Sequence, residues 1–224
     1  MRILVSGASR GIGLEIVRAL AAEGHKVLAL TRSGSPVLPG NPRVQTLFAD
    51  ISDPATDYAA LAEECTREDG LDAVVNNAGA LLNAPFDTME AEAVQYLFEA
   101  NVFGPMRLLR ALKPRLNAPA HVLNIGSMGG VQGSAKFPGL AWYSAGKGAL
   151  AILTECLAEE WKNDSIRVNC LALGAVQTEM LQAAFPGYNA PLSAAEMGTF
   201  IADFVQNGAR FFNGKILPVS VSTP

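Results

Sequence analysis

Short, continuously apolar runs alternate with helical segments along this chain, and that alternation restricts the fold more than any other feature. The runs fall at residues 3–5, 27–30, 44–48, 71–75, 122–125, 166–171 and 215–219. Between them, apolar residues at helical spacing (Ile12, Ile16, Val17 and Leu20 in the first case) predict helices over about 12–23, 54–68, 89–116, 140–162 and 194–205. Gly24 ends the first helix, and Pro105 is expected to kink or interrupt the third. Residues 33–42, rich in Gly, Pro and Ser, read as a loop. Strands that are apolar on both faces need helices above and below, which implies a parallel sheet. Right-handed crossovers then give an α/β, doubly wound architecture. With 224 residues, half of them hydrophobic, and no repeat or long linker, a single domain over residues 1–224 is expected.

Charge and cysteine usage exclude several functions. The net charge of -4, with acids scattered along the chain, disfavours a nucleic acid or an anionic membrane as partner. Cys65, Cys156 and Cys170 are far apart and show no CxxC spacing, which suits buried thiols in a reducing compartment. The opening apolar run is too short for a secretory signal, and no run approaches the roughly 18 residues of a membrane span. A cytoplasmic location is therefore expected. The two histidines, His25 and His121, have neither metal-ligand nor triad spacing, so no metal site is expected.

The first strand runs into Ser6-Gly7-Ala8-Ser9-Arg10-Gly11-Ile12-Gly13, where a helix opens. Glycines here permit a tight turn and close approach of backbone to a pyrophosphate, and the helix N-terminus offers unpaired N–H groups. This is the signature of a dinucleotide site in a Rossmann fold, and no Gly-Lys-Ser/Thr follows to suggest a triphosphate loop. At the end of the second strand an NAD site usually carries an acid. The chain instead reads Leu30-Thr31-Arg32-Ser33, with Arg10 in the glycine loop. Guanidinium groups suit a 2′-phosphate, so NADP(H) is favoured and NAD(H) is the alternative.

Taken in order, Gly7-x-x-x-Gly11-x-Gly13, Asp50, Asn76-Asn77-Ala78-Gly79, Asn101, Ser127 and Tyr143-x-x-x-Lys147 resemble the short-chain dehydrogenase/reductase family, in particular its compact C-factor-like and carbonyl-reductase-like members. The resemblance covers essentially the whole chain. It implies an oxidoreductase that interconverts a carbonyl compound and an alcohol by hydride transfer, with Asn101, Ser127, Tyr143 and Lys147 as its catalytic set. Tyr143 would act as general acid and base. Lys147, on the same helix face one turn later, would lower the phenol pKa and bind the nicotinamide ribose. Ser127 would hold the substrate oxygen, and Asn101 a water relaying protons to Lys147. The dinucleotide would meet Gly7, Ser9, Arg10, Gly11, Ile12, Gly13, Thr31, Arg32, Asp50, Ile51, Asn77, Ala78, Gly79, Tyr143, Lys147, Gly174, Val176 and Thr178.

Two departures from the family pattern stand out. Leu173-Gly174 replaces Pro-Gly after the sixth strand, implying a less rigid loop. An Asp-Gly-Gly near the C-terminus is missing, the chain ending Leu217-Pro218-Val219-Ser220-Val221-Ser222-Thr223-Pro224, which puts family-typical subunit contacts there in doubt. Residues 177–192 are short for a substrate lid. Met128, Val131, Phe137, Trp142, Met180, Leu181, Phe185 and Tyr188 are candidate pocket residues, suited to a hydrophobic aldehyde or ketone unless they pack the core or an interface. A homodimer or homotetramer through the helices at 89–116 and 140–162 follows from the resemblance. The rival reading is a cofactor-binding regulator with the same fold and little turnover; an activated phenol, which a pure binder does not need, separates the two.

Overall fold

The computed structural model describes residues 1–34 and 36–221. Ser35, within the expected loop, and the terminal Ser222, Thr223 and Pro224 lie outside the described residues. In chain order the elements are β1 (Arg2–Ser6), α1 (Gly11–Ala22), β2 (Lys26–Thr31), β3 (Val44–Phe48), α2 (Tyr58–Cys65) and β4 (Leu71–Asn76). There follow α3 (Ala91–Phe98), α4 (Gly104–Leu112), β5 (Leu116–Ser127), α5 (Ala141–Glu160) and β6 (Ile166–Leu173). The chain closes with β7 (Val176–Gln177), α6 (Glu179–Ala184), β8 (Leu192–Ser193), α7 (Ala194–Asn207) and β9 (Ile216–Val219).

Seven strands form one parallel sheet in the order β3-β2-β1-β4-β5-β6-β9, while β7 and β8 pair separately. Strand alternation divides the core cleanly. Ile3, Val5, Val27, Ala29, Val75, Leu123, Ile125 and Leu171 face α1 and α7, whose Ile16, Val17, Leu20, Met197, Ile201 and Val205 cover them. Leu4, Leu28, Leu30, Val74, Val122 and Val168 face the other way, onto Leu61 of α2 and Leu108, Leu109 and Leu112 of α4. Both faces are thus closed by helices, as continuously apolar strands require. The chain reverses direction across the sheet between β1 and β4, so the carboxyl ends of these strands flank a crevice, where ligands of such sheets bind.

The region expected as one helix with a proline break is different. Residues Glu99–Phe103 form a π-helical turn that joins α3 to α4 without leaving helical backbone. Pro105 lacks the N–H that would bond the carbonyl of Asn101, and the wider turn accommodates that loss. Gly104 is required by the same packing, because a Cβ there would collide with the carbonyl oxygen of Ile51. The expected helix at 54–68 begins only at Tyr58, capped by the Asp57 side chain, which accepts from the Ala60 N–H at 2.9 Å.

Candidate active site

The glycine turn is built to leave its helix end open. Gly7 (φ +66°) and Gly11 (φ +54°) sit in the left-handed region, where a side chain would be strained. A Cβ on Gly13 would enter the space of the Gly7 carbonyl oxygen, so β1 and α1 pack as closely as they do only with glycine there. No side chain caps α1 at Arg10, and its first turn contains no acid. Its leading N–H groups and positive dipole end therefore remain available to an anion, and this cradle fits a dinucleotide pyrophosphate.

The turn after β4 braces that cradle. The Ser6 hydroxyl accepts from the backbone N–H groups of Asn77 and Ala78, both at 3.1 Å. The Asn77 side-chain amide donates to the carbonyls of Ser6 (3.0 Å) and Gly7 (3.1 Å). Asn77 thus stitches the two loops together from beneath. At the other end of the crevice Thr31 closes β2 with its hydroxyl oxygen buried and unpartnered. Asp50 accepts from the Ser52 N–H (2.9 Å) and hydroxyl (2.6 Å), while Ile51 is buried beside it. Arg32 reaches Asp50 at 3.9 Å, and Arg10 reaches Glu179 at 3.2 Å.

Tyr143, Ser127 and Lys147 come together from α5 and the end of β5. The Tyr143 phenol interacts with the Ser127 side chain. Ser127 also accepts from the Gly129 N–H at 3.2 Å. Lys147 is buried; its Nζ donates to the carbonyl of Ile125 at 2.9 Å and stands 5.9 Å from the centre of the Tyr143 ring. Burial pushes the phenol pKa up, and the Ser127 hydroxyl pulls it back. Burial likewise lowers Lys147 to about 8, opposed by the Cys170 thiol. Loss of water is the larger influence on the phenol, so Tyr143 stands above its ordinary pKa.

Asn101 is not an exposed helix residue. The π-turn aims its side chain inward, where Nδ2 donates to the carbonyls of Ala80 and Leu97, both at 2.8 Å, and Oδ1 accepts from Ala80 N–H at 3.3 Å. Gly79 lies between Asn101 and Lys147, with room for neither a methyl group nor anything larger: a Cβ would stand 2.7 Å from Asn101 Oδ1 and 3.3 Å from Lys147 Nζ.

The loop after β6 is firmly held despite lacking proline. The Gly174 N–H bonds the Val219 carbonyl at 2.9 Å, and the Ser220 side chain crosses directly over the Gly174 Cα. Val176 is buried in the β7–β8 pair, and Thr178 caps α6 by accepting from Leu181 N–H at 3.2 Å. Phe137 meets Phe185 edge-on at 6.4 Å. Trp142 stacks on Phe86 at 4.8 Å and packs against the buried Ala80, Leu97 and Ala100, so it is part core and part rim. Phe86 and Asn83, which donates to the Ala184 carbonyl at 3.0 Å, close this rim without belonging to any motif. An aromatic in the loop after Gly79 is the only sequence cue to them.

A crevice of this kind, with an open helix end, a phenol set against a serine and a buried lysine, defines a dinucleotide-using oxidoreductase that acts on alcohol or carbonyl groups. The chain belongs to the short-chain dehydrogenase family, whose model, described as short chain dehydrogenase, matches residues 1–189. It is 32% identical to oxidoreductase claN of Passalora fulva, over 91% of this chain and 93% of that one. It is 31% identical to carbonyl reductase [NADPH] 2 of Sus scrofa, over 80% and 73%. A short chain dehydrogenase from Burkholderia cenocepacia, solved in complex with NADP, superposes with a TM-score of 0.86 at 25% identity, covering 98% of this chain and 96% of that one. Among the described residues no helix is long and apolar enough to cross a membrane.

Proposed function

We propose that this protein interconverts a carbonyl compound and an alcohol with NADP(H), using Tyr143 as general acid and base. The observation that carries this reading is the Tyr143 phenol, set against Ser127 with Lys147 buried beside its ring. Held above its ordinary pKa by burial, the phenol stays protonated near neutral pH and is placed to donate to an oxygen that gains charge as a carbonyl is reduced. Ser127 offers the same oxygen a second hydrogen bond and keeps the phenol oriented. Lys147, easily deprotonated, can return a proton to Tyr143 from the side of Asn101 and Gly79. Bound at Gly7 to Gly13, the nicotinamide cofactor would supply the hydride or take it up. Ser9 and Ile12 of the turn, Thr31, Asp50, Ile51, Ala78, Gly79, Gly174, Val176 and Thr178 would line its path.

The choice of NADP(H) rests on Arg10 and Arg32, on the absence of an acid at the end of β2, and on the cofactor named for the carbonyl reductase and held by the Burkholderia enzyme. The aromatic pairs Phe86–Trp142 and Phe137–Phe185, drawn from the segments that follow β4, β5 and β7, favour an uncharged, hydrophobic aldehyde or ketone. NADPH and NADH oxidation followed against a panel of such carbonyls tests the whole reading. NADPH-dependent turnover supports it. Tighter binding of NADH than of NADPH would overturn the cofactor, and cofactor binding without turnover of any carbonyl would overturn the reaction.

A further inference from the structure

We propose that Glu179 is a specificity-determining residue for the dinucleotide: it holds Arg10, and a 2′-phosphate must displace it. This rests on the reading of Arg10 as a 2′-phosphate ligand. The guanidinium of Arg10 lies 3.2 Å from the Glu179 carboxylate, and both side chains are about two-thirds exposed, at 69% and 67%. Arg10 belongs to the glycine turn and Glu179 to the first turn of α6, so the pair ties the cofactor loop to α6. The two elements are already in register, because Thr178 Cγ2 would stand 3.6 Å from a Cβ on Gly11.

The second arginine is paired differently. Asp50, opposite Arg32, keeps its Ser52 hydrogen bonds whether or not Arg32 leaves, and the Arg32 contact is long, at 3.9 Å. The Glu179 carboxylate, by contrast, is held among the described residues by Arg10 alone. A phosphate carries more charge than a carboxylate and matches the guanidinium fork, so it wins the competition. The carboxylate it displaces raises the cost of binding the phosphorylated dinucleotide, leaves NAD(H) unaffected, and frees α6 from the glycine turn once NADP(H) is seated. Stabilising the first turn of α6 is a second role open to an acid at this position. That role alone would treat phosphorylated and unphosphorylated nucleotides alike.

The test uses calorimetric titration of the full chain with 2′,5′-ADP and, as control, 5′-AMP, at low salt. Glu179→Gln is exposed and conservative, so its fold is retained. It should bind 2′,5′-ADP about two- to fivefold tighter than the native chain, the range an exposed ion pair supports, with 5′-AMP unchanged. The gain should vanish when Arg10→Gln is added. Hydrogen exchange at the α6 amides of Leu181 and Gln182 should rise when 2′,5′-ADP binds the native chain, and should already be raised in Glu179→Gln. Equal affinities of Glu179→Gln and native chain for 2′,5′-ADP, or an equal gain for both nucleotides, would overturn the proposal while leaving NADP(H) intact. If Arg10→Gln alone leaves the 2′,5′-ADP to 5′-AMP ratio unchanged, the assignment of Arg10 fails and the proposal with it.

Discussion

Lys147 carries the clearest electrostatic strain of any residue in the site. An unfolded chain holds this proton up to its ordinary pKa of 10.5, whereas the fold releases it at about 8. Between those values the unfolded state binds more protons, so stability rises with pH across that window and the deficit is full below it. Replacing the ammonium by an apolar chain in Lys147→Met removes the deficit. Denaturant unfolding should show the native protein gaining on Lys147→Met, by on the order of 3 kcal/mol, between about pH 8 and about pH 10.5. Parallel stability curves would contradict the assignment. Gly13 is constrained by sterics rather than charge. Gly13→Ala should cost about 1–3 kcal/mol, by overpacking against Gly7, and weaken dinucleotide binding; an unchanged unfolding midpoint would contradict this. At this scale the sequence was informative wherever a motif sets spacing, as for Tyr143, Lys147 and the glycines. It could not reveal that Asn101 is buried and bonded to Ala80, nor that burial dominates the phenol, because both depend on elements distant in the chain.

Strands and long helices were legible because each carries enough apolar residues for a period to emerge. The two-residue strands β7 and β8 and the six-residue α6 are too short for that. The π-turn is not legible in the sequence for a different reason: Pro105 signals a disrupted helix but not how the backbone absorbs it. A buried polar link between elements was equally invisible. His121 on β5 donates from Nδ1 to the Val205 carbonyl of α7 at 2.9 Å, and its Nε2 faces the Asn169 amide of β6 at 3.2 Å. Asn169 Nδ2 also donates to the Phe212 carbonyl at 3.0 Å, and Oδ1 accepts from Lys215 N–H at 3.2 Å. This fixes a neutral imidazole that accepts at Nε2, and burial lowers its pKa from the ordinary 6.5. The unfolded state therefore takes up the proton first, and stability falls as pH drops below that value. His121→Gln, which cannot charge, should lose less stability than the native chain on acidification, measured by thermal unfolding; identical acid profiles would contradict the role.

At the scale of the whole molecule, the doubly wound sheet gathers the ends of β1, β4, β5 and β6 on one side, and residues far apart in sequence meet there. We propose that the opposite need, covering the remaining apolar surface, is met by a second copy of the chain. Phe103 and Ile152, exposed by 46% and 60%, lie on the helical segments expected to pair. Sedimentation should show a dimer or tetramer that Ile152→Glu dissociates, and a native monomer at micromolar concentration would contradict that expectation. In the proposed reaction Tyr143 handles the proton. Tyr143→Phe keeps the ring, its packing and the open helix end of α1, so NADPH should bind as it does to the native chain. Single-turnover reduction of an accepted carbonyl by that variant should fall by at least about 100-fold, the scale of a lost general acid. Undiminished reduction with cofactor binding intact would contradict the account.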